Sequence, residues 1–163
     1  AVQPVDLTAS EISVRLGATW LTLEIIEEFM FELFSTPRYC QWNIHVHYAQ
    51  YTGEWNVEGK SYDRSNVKAY NTYGTGRVNG YKIMEETLNL RDVRIFDYIE
   101  DGNGMKTALL NKKETAIAQG KQELIKQAFA DWIWSDPERR EQLTKLYNEK
   151  FNSIRPASMT AAT

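Results

Sequence analysis

The chain has 163 residues and a mass of 18.9 kDa, which is room for one domain of ordinary size and not for two. With 42% hydrophobic and 25% charged residues it can bury a core, which excludes a disordered or collagen-like polymer, and its apolar runs fall far short of the ~18 uncharged residues of a membrane span. The net charge of −3 argues against tight, autonomous binding of nucleic acid.

In chain order, Thr8-Ala9-Ser10-Glu11 has the form of a capping box and predicts a short helix to about Leu16, stopped by Gly17. Thr22 starts a second helix whose Ile25, Ile26, Phe29, Met30 and Leu33 recur at helical spacing up to Pro37, with Glu27, Glu28 and Glu32 outward. From Trp42 the period changes to two. Ile44, Val46 and Tyr48 alternate with Asn43, His45 and His47, and Thr52-Gly53 turns the chain into Trp55 and Val57, a hairpin. Residues 60–75 are rich in Ser, Asn, Tyr and Gly and admit a short strand at Val67 to Thr72. A helix from about Arg77 to Leu88 follows, weakened by Gly80.

Val93 to Glu100 and Met105 to Leu110 flank Asp101-Gly102-Asn103-Gly104, a strong hairpin signal. After Asn111 a run of some two dozen residues sets Ile117, Leu124, Ile125, Ala128, Phe129, Trp132 and Ile133 on one face, with Lys121, Gln122, Lys126 and Asp131 off it. Asp136-Pro137 starts a last helix carrying Leu143, Leu146, Tyr147 and Phe151. The expectation is an α+β fold: one accessory domain over residues 1–156, with two hairpins meeting in a small antiparallel sheet packed against about five helices. Residues 157–163 read as a disordered tail or a chain end.

Charge is distributed unevenly along this frame. Residues 1–59 carry Arg15 and Arg38 against eight carboxylates, for −6. Residues 60–84 carry Lys60, Arg64, Lys68, Arg77 and Lys82 against Asp63 alone, for +4, and the remainder sums to −1. Tyr62, Tyr70, Tyr73 and Tyr81 interleave with those five cations. That mixture suits phosphate contacts and base stacking; it equally suits a polar connection whose tyrosines are core.

Other constellations point to chemistry less well. Gly74-Thr75-Gly76-Arg77-Val78-Asn79-Gly80-Tyr81-Lys82 invites a phosphate-loop reading, but its third glycine is one residue late for the dinucleotide fingerprint, and Lys82 is followed by Ile83 rather than Ser or Thr. His45-x-His47, with Cys40 as a third ligand, has a spacing some metal sites use; the plainer reading is the solvent side of a hairpin. Asp97, Glu100 and Asp101 could serve a nuclease metal site, though a turn aspartate is commoner. Cys40 has no partner to depress its pKa, cannot form an internal disulfide, and with no basic and apolar leader in view fits a reducing cytoplasm. The chain opens at Ala1 rather than at a methionine, the expectation for a trimmed product or a piece of something longer. No catalytic residue and no metal site is assigned.

Several blocks carry a resemblance. Leu16-Gly17-Ala18-Thr19-Trp20, Tyr73-Gly74-Thr75-x-Arg77, Leu88-Asn89-Leu90-Arg91, Asn111-Lys112-Lys113-Glu114-Thr115, Phe129-x-x-Trp132-Ile133-Trp134-x-Asp136-x-x-Arg139 and Tyr147-Asn148-x-x-Phe151-Asn152 together resemble the segment that precedes the helicase core in large DNA methylase–helicase proteins of conjugative elements and phages. This family includes antirestriction proteins. The resemblance spans about residues 7–156 and implies a bacterial, cytoplasmic parent. It also implies an adenine-specific methyltransferase upstream and a Swi/Snf-like helicase downstream, with S-adenosylmethionine, ATP and magnesium as the parent's cofactors and none assigned to this stretch. The methyltransferase Asn/Asp-Pro-Pro-Tyr/Phe motif is absent, since none of the four prolines is doubled, and so is the Walker motif.

Two functional readings follow. In the first, the domain helps engage DNA between methyltransferase and helicase through Arg64, Lys68, Tyr70, Tyr73, Arg77, Lys112 and Lys113. The second is a structural spacer that docks on the helicase lobe through Trp132, Trp134, Tyr147 and Phe151. A weaker third class, a cryptic nuclease or metal enzyme, would use His45 and His47.

Overall fold

The computed structural model describes residues 5–152; the expected tail, 157–163, lies outside them. The fold is α+β. The capping box at Thr8 forms, with Glu11 accepting from the Thr8 amide, but it closes only a 3-10 turn, Ala9–Glu11, rather than a helix to Leu16. Helix α1 (Leu23–Phe34) starts where Thr22 accepts from the Ile25 amide and ends at Ser35 in the left-handed region. Past Pro37 a single turn that the spacing did not predict, α2 (Arg38–Gln41), leads into the first hairpin, β1 (His45–Ala49) and β2 (Glu54–Glu58).

The region read as a possible strand, Val67 to Thr72, is instead a π-helical turn over Lys68–Thr72. It wraps the buried Ala69, whose carbonyl meets the glycines that follow: a β-carbon on Gly74 would stand 2.3 Å from the Ala69 oxygen, and one on Gly80 would stand 2.7 Å from the Phe34 ring. Chain packed that closely cannot extend into a ladder. Helix α3 (Gly80–Leu88) is shorter than expected because Asn79 caps it, accepting from the Lys82 amide. The second hairpin, β3 (Phe96–Glu100) and β4 (Lys106–Leu110), precedes α4 (Lys112–Ile133), capped by Asn111, and α5 (Pro137–Tyr147), capped by Asp136. A π-helical turn, Asn148–Asn152, closes the described chain.

The two hairpins do not meet. β1 pairs with β2 and β3 with β4 as separate antiparallel sheets, because side chains occupy the edges that would have joined them. The Glu27 carboxylate accepts from the Val46 amide, Glu85 from the Val57 amide, and the Asn89 side chain bonds both the amide and the carbonyl of Trp55. α1 packs on β1 and α4, and α3 on β2 and α4. Phe29, Met30, Phe34, Ile44, Val57, Tyr81, Ile83, Met84, Ile125, Phe129 and Ile133 lie within one buried cluster.

Helix α4 departs from its expected face. Ile117 and Leu124 are exposed, while Gln122 is buried. The Gln122 side chain accepts from the Val93 amide and donates to the Arg91 carbonyl and the Thr87 hydroxyl. One turn earlier Gln119 donates to the Val93 carbonyl, and Thr115 bonds the Ile95 amide and carbonyl. Three polar side chains at helical spacing thus bind residues 91–95 as a neighbouring strand would, satisfying backbone groups that burial leaves without water.

Candidate nucleic-acid interface

The fold divides the basic segment. Lys60 and Lys82 close on the buried carboxylate of Glu85 at 2.7 and 2.9 Å, and Lys82 also reaches Glu86 at 3.1 Å. Arg77 pairs with Asp97 at 2.9 Å and donates to the Phe96 carbonyl at 2.9 Å; with Asn111 on its other oxygen, the Asp97 carboxyl is held below its usual range. Three of the five cations are therefore tied to carboxylates. Arg64 and Lys68 are not: Arg64 donates to the Ser61 carbonyl, Lys68 to the Ser35 hydroxyl, and neither has an ion pair among the described residues.

Around those two the structure assembles residues from a distant, acidic stretch of sequence. Tyr39 of α2 lines one cleft with Tyr62, Asp63, Arg64 and Ser65. In the same turn Arg38 and Trp42 stand four residues apart and Tyr39 and Trp42 three, spacings that share a helix face. Tyr39 is 71% exposed, Trp42 79% and Tyr62 54%. Arg38 has no ion pair among the described residues either. Tyr39, Tyr62 and Arg64 thus share one cleft, with the exposed Arg38 and Trp42 in the same turn as Tyr39 and the exposed Lys68 bonded to Ser35 at the end of α1.

The acid at its centre faces inward. Asp63 is 2% exposed and accepts from the Tyr81 hydroxyl at 2.9 Å, the Asn66 amide at 2.6 Å and, at 3.7 Å, the Cys40 thiol. Asn66 also donates to the Phe34 carbonyl and accepts from the Ala69 amide. The Asp63 carboxylate thus joins α2, the 59–66 connection and α3 beneath Tyr39 and Tyr62, and Asn66 extends the link to the π-helical turn. Burial, then the nearby Asp63, pushes the Cys40 thiol up, the opposite of what a nucleophile needs.

The remaining candidates have other surroundings. Tyr70, in the turn of Lys68, and Tyr73 are half-buried against the core, Tyr73 with its centroid 5.9 Å from Phe34. Lys112 and Lys113 are exposed in the first turn of α4. The glycine-rich turn carries close packing, and the Asn79 side chain already caps the helix it opens. His45 bonds the Trp42 carbonyl and His47 lies 2.8 Å from Glu58. Among the described residues no group of three His, Cys, Asp and Glu side chains is placed to hold a metal ion. The Asp101 carboxylate accepts from the Asn103 and Met105 amides, the task of a turn aspartate.

The aromatic set expected to dock is half-buried for the most part. Trp132 is sandwiched: the Arg139 guanidinium sits 3.5 Å from its ring centroid, Phe29 lies 5.3 Å away and its indole N–H donates to Glu32. Trp134 is half-buried against the core, and Tyr147 meets Trp20 edge-on at 5.2 Å and Phe151 at 4.9 Å. Of the four, Phe151 alone is exposed, at 43%.

No helix among the described residues is long and apolar enough to cross a membrane. No curated protein and no solved structure matches the chain. A family model described as Domain of unknown function (DUF8437) matches residues 15–153, the span that holds both hairpins, the buried carboxylates and the basic aromatic surface, and the chain belongs to that family.

Proposed function

We propose that this domain is a non-catalytic module that engages nucleic acid through Arg38, Tyr39, Trp42, Tyr62, Arg64 and Lys68. The observation that carries the reading is the cleft in which Arg64, free of a carboxylate partner, meets the exposed Tyr39 and Tyr62 over the buried Asp63, with Arg38 and Trp42 in the turn of Tyr39 and Lys68 one turn on from Arg64. Cations alone would suit any polyanion; exposed rings beside them suit unpaired bases, which stack on aromatic faces while the backbone follows the charge. A displaced or single strand is therefore preferred over duplex. Read with the resemblance, the module holds a strand between the methyltransferase and helicase of a bacterial, cytoplasmic protein, and S-adenosylmethionine, ATP and magnesium act in those neighbours.

Fluorescence anisotropy with single-stranded, duplex and forked DNA over a salt series tests this. Three phosphate contacts on a single strand give a slope of log K against log salt of about −2. The triple variant Arg38→Ala, Arg64→Ala, Lys68→Ala brings the slope close to zero. Arg77→Ala leaves it unchanged, because that guanidinium is bound to Asp97 and Phe96. A slope that persists in the triple variant and falls in Arg77→Ala or in Lys112→Ala, Lys113→Ala would move the interface to those residues.

The second reading, a spacer that docks on a neighbouring domain, is favoured by one feature. The β3–β4 hairpin is exposed over almost its whole length, an unusual display of apolar side chains for a surface element.

A further inference from the structure

The backbone groups of that hairpin divide into two sets. The Asn111 amide donates to the Ile95 carbonyl and the Asp101 amide to the Met105 carbonyl. In the observed register the alternation of antiparallel pairs makes 97·109 and 99·107 hydrogen-bonded pairs, while 96·110, 98·108 and 100·106 turn their N–H and C=O groups outward. On β3 the outward carbonyl of Phe96 is taken by Arg77. On the first hairpin, outward groups of both strands are taken by Glu27, Glu85, Asn89 and Lys60. On β4, the outward groups of Lys106, Ala108 and Leu110 meet no side chain among the described residues. β3 is closed at Phe96 and open at Tyr98 and Glu100, whereas β4 has no side-chain cover along its whole outward edge among the described residues, and an open edge is a template for another strand.

We infer that β4 pairs antiparallel with β4 of a second copy about a two-fold axis at Ala108, giving a four-stranded sheet. With Ala108 facing Ala108, residue 106 of each strand lies opposite residue 110 of the other, and all three outward residues meet outward partners. The pattern is self-complementary, as an isologous interface must be.

Charge favours this arrangement over the alternative. The strand's one charge, Lys106, is carried to opposite ends of the pair, about 13 Å from its copy, whereas a parallel, in-register pairing would place the two lysines side by side. Asn111 and Lys112, leaving β4, come opposite the turn end of the other hairpin. That end is acidic: it holds Asp101 and the Glu100 carboxylate, which lies 3.8 Å from where a Gly104 β-carbon would be. On one face the small Ala108 pair is flanked by Tyr98 of each copy, now 69% exposed; on the other, Leu109, 56% exposed, comes opposite Thr107. A five-residue strand pair is small for an interface, so association is weak, in about the micromolar range.

Sedimentation equilibrium of the full chain, up to several hundred micromolar, reads this directly. Wild type shows a monomer–dimer equilibrium, and Ala108→Pro weakens it on the order of tenfold, since by symmetry it removes both central hydrogen bonds. The same change leaves the hairpin's own ladder intact, because the Ala108 amide points away from β3. A second measurement does not depend on how proline is tolerated. Under oxidising conditions, a mixture of Thr107→Cys and Leu109→Cys chains forms a disulfide-linked heterodimer, and neither variant alone does so to the same extent; the native Cys40 is buried. The inference is overturned by a chain that stays monomeric throughout, by a dimer indifferent to Ala108→Pro, by cross-linking equal in single and mixed samples, or by an edge that accepts foreign extended peptides but not its own copy.

Discussion

Replacing Glu85 by alanine lowers stability by about 3 kcal/mol, the largest loss expected from one side chain outside the apolar core. Glu85 is 5% exposed, and its carboxylate accepts from the Val57 amide, the Asn56 side chain, Lys60 and Lys82. Val57 is fully buried, so its amide loses its partner with no water in reach, while the two lysines, partly exposed, turn to solvent at lower cost. For a chain of this length that loss lowers the midpoint of thermal unfolding by about 6–12 °C.

The pH dependence has a definite sign. Burial by itself would raise the Glu85 carboxyl, but the hydrogen bonds from Lys60, Lys82 and Val57 outweigh it and hold the group below its ordinary value of 4.5. As pH falls the unfolded chain therefore takes the proton first. The contribution of Glu85 is full above about pH 4.5 and is lost as pH drops through the lower, folded value. Glu86 and Asp97, also depressed, act in the same direction. Glu85→Gln, which keeps one acceptor, loses less at pH 7 and shows a flatter decline in acid. Urea unfolding at pH 7 and pH 4 measures both.

Tyr81→Phe costs about 2–3 kcal/mol. Its hydroxyl lies between the Thr36 hydroxyl at 2.7 Å and the Asp63 carboxylate at 2.9 Å, all three buried, and phenylalanine leaves Asp63 with fewer donors and no water. Burial, reinforced by Asp63, pushes the phenol well above its ordinary 10.0. The unfolded chain therefore releases that proton first, and stability declines as pH climbs past about 10. The variant removes this alkaline component, a readout that a packing defect alone would not give. Because Asp63 ties α2 to the 59–66 connection, the same change loosens the base under Tyr39 and Tyr62.

The contrast between these two acids and the rest of the chain explains which parts of the fold can be read from sequence. Thr22, Asn111 and Asp136 begin helices where local spacing puts them, and Asp101-Gly102-Asn103-Gly104 turns a hairpin. All are decided within a few residues. Gln122 shows the opposite case: its polarity assigns it to solvent, yet it is buried because residues 91–95 need partners that no nearby strand supplies. Ile117 and Leu124 fail for the converse reason, since the helix faces what tertiary packing presents rather than its own apolar stripe. The two hairpins stay apart because Glu27, Glu85 and Asn89, each far from the strands in sequence, occupy the edges.

The site divides along the same line. Arg64 and Lys68 are legible as part of a basic run, and so are their neighbours Lys60, Arg77 and Lys82, which the fold then neutralises with Glu85, Glu86 and Asp97. Composition counts charges but not their partners. Arg38, Tyr39 and Trp42 of the proposed interface are not legible in the sequence, because they lie in its acidic first third, where no local window joins them to residues 62–68. The one available sign was Arg38 itself, one of two cations among the first 59 residues.

The most direct test of the central claim is an amide chemical-shift titration of the 18.9 kDa chain with a short oligothymidine. The account predicts shifts concentrated at residues 38–42 and 61–68, with Tyr70 and Tyr73 little affected and the β3–β4 hairpin silent. Shifts centred on Arg77 or on Lys112 and Lys113, or none at low salt, would contradict it.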